Sequence, residues 1–117
     1  MNLTISQSFG LKSNSTCDQI AIQINQYFQG KISLHHSEYK GDYAKILHLQ
    51  ARISIHKNEY EAYEYYFPQY SNLSIIVSVH INKGKKIERI NLAQNILNHM
   101  QNLGFIMLEQ SQNSSTQ

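Results

Sequence analysis

Residues 45–56 read KILHLQARISIH, and their alternation decides the fold class. Leu47, Leu49, Ala51, Ile53 and Ile55 occupy the odd positions; Ile46, His48, Gln50, Arg52, Ser54 and His56 occupy the even ones. A period of two is the mark of a strand, and one apolar side against one mostly polar side marks a sheet covered on a single face. The pattern predicts one long strand here. Residues 73–82 repeat it, with Leu73, Ile75, Val77, Val79 and Ile81 inward and Ser74, Ser78, His80 and Asn82 outward.

Two other stretches carry the helical period. Ile20, Ile24, Tyr27 and Phe28 fall on one face of a helix predicted at 16–29. Ser15 is its expected cap, Asp18 favours its positive end, and Gly30 is the expected left-handed residue that stops it. Ile90, Ala93, Ile96, Leu97 and Met100 form the stripe of a second helix at 86–102, which ends at Leu103-Gly104. Shorter strands are predicted at 3–9, 31–36, 60–67 and 105–109, the last apolar on both sides and therefore expected to be enclosed. Residues 37–42 read as a loop.

The predicted order is strand, helix, four strands, helix, strand. Each long strand and each helix has one apolar surface, and these surfaces can bury one another. The expected architecture is α+β: a two-layer sandwich of a mainly antiparallel sheet with two helices on one face, of which an elaborated ferredoxin-like plait is one form. Residues 1–110 read as a single domain and 111–117 as a disordered polar tail.

Composition sets the outer limits. A chain of 117 residues, 41% hydrophobic, suffices for one domain with a core. Its formal charge of +2 does not specify a nucleic-acid or membrane partner. The single cysteine, Cys17, can form neither an internal disulfide nor a cysteine-rich zinc site, which fits a reducing compartment. No run is long enough to span a bilayer, and Met1 to Phe9 lack the basic start and apolar block of a secretion signal. A cytoplasmic location is expected, with no membrane partner. Ile (15 residues) and Asn with Gln (23 together) are abundant, and Ile and Asn codons are A/T-rich, as in A/T-rich bacterial genomes.

The chemistry-bearing residues are scattered. His35 and His36 are neighbours on a predicted strand, so their rings point to opposite faces. His48 and His56 share a face of the long strand but stand roughly 26 Å apart at about 3.3 Å per residue. No His-Glu-x-x-His, no cysteine pair, no Gly-x-Ser-x-Gly and no nucleotide loop occurs, so neither a metal nor a cofactor is expected. Cys17 lies in the first turn of a helix, where the dipole would lower its pKa. Lys83-Gly84-Lys85-Lys86, with Arg89, reads as a solvated basic turn.

The most unusual stretch is Asn58 to Tyr70. It packs Tyr60, Tyr63, Tyr65, Tyr66, Phe67 and Tyr70 around Glu59, Glu61 and Glu64, and carries −3 against +5 for the rest of the chain. Read as a strand, neither of its sides is purely apolar, so it is expected at a sheet edge. Tyrosine offers a large rigid contact with a hydroxyl, and carboxylates among the rings favour a basic protein and repel nucleic acid. The leading expectation is a non-enzymatic binding protein acting by occlusion, of the immunity or inhibitor kind, neutralising a basic toxin such as a nuclease. Glu59, Tyr60, Glu61, Tyr63, Glu64, Tyr65 and Tyr66 would form its partner-binding surface. The alternative is a nucleic-acid or phosphate-binding module on the polar sheet face, using His48, Arg52, His56 and His80. The lack of mid-strand aromatics there argues against nucleic acid. A homodimer through edge pairing of the tyrosine-rich strand is a third possibility.

Overall fold

The polar alternation of residues 73–82 becomes a central strand of a six-stranded sheet. A computed structural model describes residues 2–37 and 41–115. In chain order these form β1 (Asn2–Leu11), α1 (Cys17–Phe28), β2 (Lys31–Ser37), β3 (Gly41–Leu47), β4 (Ala51–Lys57), β5 (Glu59–Glu61), β6 (Glu64–Tyr65), a 3-10 turn (Pro68–Tyr70), β7 (Ile75–Ile81), α2 (Lys86–Asn102) and β8 (Ile106–Ser115). The large sheet has the order β2-β3-β4-β7-β1-β8, with every neighbouring pair antiparallel. β5 and β6 form a separate two-stranded sheet.

The predicted α+β sandwich is therefore the fold, with both helices on one face. That face carries Ile5, Phe9, Ala44, Ile46, Ala51, Ile53, Ile55, Ile75, Val77, Val79 and Ile81, which join Ile20, Ala21, Ile24 and Phe28 of α1 and Ala93, Ile96 and Met100 of α2 in one buried cluster. Fully burying an aliphatic side chain is worth about 1.5–3 kcal/mol, so this layer dominates the stability of the fold. Gln7 is the polar member of the layer: its Nε2 donates to the Ala93 carbonyl of α2 at 2.9 Å and to Gln110 Oε1 of β8 at 3.0 Å.

Residues 45–56 are not one strand. The chain reverses at His48-Leu49-Gln50, and Ile46 lies opposite Ile53. An even and an odd position thus share the buried face, while Leu47 and Leu49 are 57% and 88% exposed. The turn has none of the residues that announce a hairpin. It is held instead by the His48 amide donating to the Ala51 carbonyl (3.0 Å), the Gln50 amide donating to His48 Nδ1 (3.1 Å), and the Asn82 and Lys83 amides donating to the Gln50 carbonyl. Distant backbone does what glycine or asparagine usually does.

Other expectations also shift. The α1 cap is Thr16, not Ser15: its hydroxyl accepts from the Gln19 amide while the Gln19 side chain accepts from the Thr16 amide. The left-handed residue after α1 is Gln29 (φ 52°). Gly30 is required for another reason, since a Cβ there would sit 2.5 Å from the Leu47 carbonyl oxygen. Gly41 and Asp42 of the expected loop belong to β3, and residues 38–40 lie outside the described residues. Of the polar tail expected at 111–117, residues 116–117 lie outside the described residues. β8 continues to Ser115 in register with β1, because strand pairing needs backbone donors and acceptors rather than apolar side chains. β8 is an edge strand, and Ile106 is 53% exposed rather than enclosed.

Candidate functional site

The face of the sheet opposite the helices is open except at one end, where the segment between β4 and β7 folds over it. A single side chain organises that segment. Asn58 is fully buried. Its Oδ1 accepts from the Phe67 amide at 2.9 Å; its Nδ2 donates to the carbonyls of Tyr70 and Leu73, each at 3.0 Å, and to that of Phe67 at 3.4 Å. Its backbone joins Ser74 and Tyr66, each at 2.9 Å. One amide thus closes a loop that starts and ends on adjacent central strands. Pro68 fits the first turn of the 3-10 helix, where no amide is needed.

The base of this excursion builds a small second core. Leu73 and Ile76 are buried but stand outside the main cluster. A Cβ on Gly10 would meet Leu73 Cδ1 at 2.6 Å and Leu108 Cδ1 at 3.2 Å, so the missing side chain is what lets the segment approach the sheet. The Tyr66 ring packs on His56 of β4 (centroids 4.7 Å apart, 63°) and on Tyr60 (4.8 Å, 55°).

Above this base, β5 and β6 form a hairpin that reverses at Ala62-Tyr63. The tyrosine-rich run is therefore not an added strand at a sheet edge; it projects from between β4 and β7 in the middle of the sheet. The reversal also overturns the expected sharing of one side by alternate residues. Glu59 pairs with Tyr65, and Glu61 faces Glu64. Like charges directly opposite each other in a sheet are unfavourable. Among the described residues no Lys or Arg lies within ion-pair distance of Glu59, Glu61 or Glu64. Tyr63 holds the tip with φ 65° and its side chain 89% exposed, its amide donating to Glu59 Oε2 at 3.2 Å. A bulky residue in the left-handed region is strained by about 1–2 kcal/mol where glycine would not be. Tyr60 and Tyr66 are 40% and 45% exposed, and Tyr65 is partly covered. The Glu64 carboxylate holds the Tyr60 hydroxyl above its ordinary pKa, and desolvation together with Glu59 does the same for Tyr65. Both hydroxyls remain neutral donors near neutral pH.

The residues expected to bind phosphate are divided. Arg52 and His80 are direct cross-strand partners on the open face. His56 is on the same face, under Tyr66, with its Nδ1 2.9 Å from the Lys57 carbonyl oxygen. His48 is not with them: it sits in the β3–β4 turn, edge-on to Phe28 (5.9 Å), so the single strand assumed to align it with His56 does not exist. Among the described residues no three His, Cys, Asp or Glu side chains are grouped as a metal would need. Cys17 is buried, and burial pushes its thiol pKa up rather than down, so desolvation outweighs the helix dipole. No helix among the described residues is long and apolar enough to cross a membrane.

Burial holds His48 below its ordinary pKa, and His99, stacked on Tyr27 at 4.3 Å, is lowered in the same way. Both rings bind protons more readily in the unfolded chain, so their contribution to stability is lost as pH falls through the ordinary histidine range. His36, hydrogen-bonded to Asp42, is raised, and its contribution is lost in the opposite sense, as pH rises through its folded pKa. The stability lost between pH 7 and 5, measured by urea unfolding, should be smaller in a His48→Gln/His99→Gln variant. Equal losses in both proteins would show that these rings carry none of it.

Nothing in the local sequence marks Asn58 as a buried hub, because its four donor and acceptor partners lie 9 to 15 residues away. No protein-family model matches the chain, and no curated protein matches it in sequence.

Proposed function

We propose that this protein is a binding module that occludes a basic protein partner through the β5–β6 hairpin, in the manner of an immunity or inhibitor protein against a basic toxin such as a nuclease. The observation that carries the reading is Tyr63: a large aromatic ring displayed almost fully to solvent from a backbone position that favours glycine. Folding gains nothing from that ring, and strain of this kind concentrates at functional sites. Tyr60 and Tyr66 supply rigid contact area beside it, and Glu59, Glu61 and Glu64 supply an unneutralised negative rim. Occlusion requires no chemistry of the hairpin itself, only a fixed shape, which the Asn58 hub provides.

The test separates stability from binding. The partner is isolated from the native cell on immobilised protein, identified, and titrated against Tyr63→Gly and Tyr63→Asn. Both variants relieve the left-handed strain, so the unfolding midpoint should be unchanged or higher. Affinity should fall at least tenfold, as for an exposed aromatic anchor worth more than about 1.4 kcal/mol. Wild-type affinity in both variants would remove the hairpin tip from the interface.

A further inference from the structure

The open face beyond the hairpin carries a second feature. The register sets two rows side by side: Ser33, Lys45, Ser54 and Ser78 in one, and Leu47, Arg52, His80 and Ser6 in the next. Ser33, Lys45, Leu47, Arg52, Ser54 and His80 of these rows, on β2, β3, β4 and β7, line a concavity of about 410 Å³, a volume within the usual range for small-ligand sites. Three basic side chains, Lys45, Arg52 and His80, converge there, and no carboxylate lines it. His80 engages the Ser6 hydroxyl through Nδ1 at 2.9 Å, Lys45 Nζ lies 5.9 Å from the centre of the Tyr43 ring, and Arg52 has no ion pair among the described residues. Lys45 and Arg52 lie on paired strands in neighbouring rows with no carboxylate lining the space beside them, which leaves the concavity net positive and suited to an anion.

From this we infer that the concavity binds a small phosphate monoester. The Arg52 fork suits paired phosphate oxygens, Lys45 supplies a point charge, and the Ser33 and Ser54 hydroxyls can donate to the remaining oxygens. Leu47, 57% exposed at the rim, gives the apolar body of the ligand a wall. A polynucleotide fits less well. The basic groups are confined to two rows, and the acidic segment 58–70 covers the same face at His56. The site is independent of the hairpin's role and stands or falls apart from it.

Phenyl phosphate, inorganic phosphate and an oligothymidylate are titrated at low salt into isotopically labelled protein and followed by NMR. Saturable shifts centred on Lys45, Arg52 and His80 are expected, with phenyl phosphate binding more tightly than inorganic phosphate. Arg52→Gln and Lys45→Gln, each shown to be folded by its own amide spectrum, should weaken phenyl phosphate at least tenfold. Lys86→Gln, at the start of α2 and outside the concavity, should change it less than twofold. The proposal is overturned by no saturable shift up to about 10 mM, a weak limit for any specific site. It is equally overturned by shifts that follow Lys83–Lys86, by wild-type affinity in both variants, or by tighter binding of the oligothymidylate.

Discussion

Replacing Asn58 with alanine should cost about 2–4 kcal/mol of stability, the largest effect expected of any single polar substitution here. The side chain is fully buried and satisfies the Phe67 amide and the carbonyls of Phe67, Tyr70 and Leu73. Alanine removes the partner of the Phe67 amide and of the Leu73 carbonyl, whereas the Phe67 and Tyr70 carbonyls keep the Tyr70 and Leu73 amides, each at 2.9 Å. Each unsatisfied buried group costs about 1–3 kcal/mol, and local opening of the segment limits the sum. Urea unfolding measures the total, and hydrogen exchange locates it: the amides of Tyr66, Phe67 and Tyr70 should lose protection while β7 and β1 keep theirs. Asn58→Asp is the sharper variant. It keeps the acceptor for Phe67 but turns lone pairs toward three carbonyls, so its folded-state pKa must rise and its stability deficit must shrink as pH falls. Loss of less than about 0.5 kcal/mol in Asn58→Ala, the size of an ordinary surface change, would mean that the excursion is held by something else.

The layered architecture was readable because it rests on local periodicity. Ile20, Ile24 and Phe28 at helical spacing, and Val77, Val79 and Ile81 at strand spacing, point at the core wherever the neighbouring strands lie. α2 spans the predicted residues, bounded by a basic turn and by Gly104, which takes φ 94°, but its buried face is Arg89, Ala93, Ile96 and Met100, with Ile90 of the expected stripe exposed and Arg89 buried rather than solvated. What local pattern could not reveal was pairing. The His48-Leu49-Gln50 reversal is stabilised by amides of Asn82 and Lys83, more than thirty residues away, so the alternation ran through it unbroken. β8 continues through a polar tail because β1 offers it a ladder. The tyrosine–glutamate run stood out by composition, but its shape depends on Asn58 reaching forward to Phe67, Tyr70 and Leu73. Its exposure, and the opposition of Glu61 to Glu64, follow from that reach and from the turn at Tyr63. On the open face, Arg52 and His80 were singled out together, whereas Lys45 was not, since it becomes their neighbour only once β3 folds back on β4.

Reversing the three hairpin charges should have the largest effect on binding. Glu59, Glu61 and Glu64 are exposed and make no ion pair with Lys or Arg among the described residues. Changing them to lysine removes from the fold only surface contacts: Glu59 with the Tyr63 amide and the Tyr65 hydroxyl, and Glu64 with the Tyr60 hydroxyl. Facing lysines at 61 and 64 repel much as the glutamates do, so the unfolding midpoint should move little. Against a basic partner each reversal converts attraction into repulsion. At about 0.5 kcal/mol on either side for a rim charge, three reversals sum to about 3 kcal/mol, or roughly 100-fold. Much of this loss should lie in the association rate, since exposed charges steer encounter and do so only at low ionic strength.

The association rate constant of the isolated partner, measured across ionic strength for the wild type and for Glu59→Lys/Glu61→Lys/Glu64→Lys, bears most directly on whether the hairpin is a negatively charged docking surface. The wild-type rate should fall steeply as salt is added, and the variant should be slower by about two orders of magnitude at low salt and should rise as salt screens the repulsion. Equal rates with equal salt dependence, in a variant that remains folded, would contradict it.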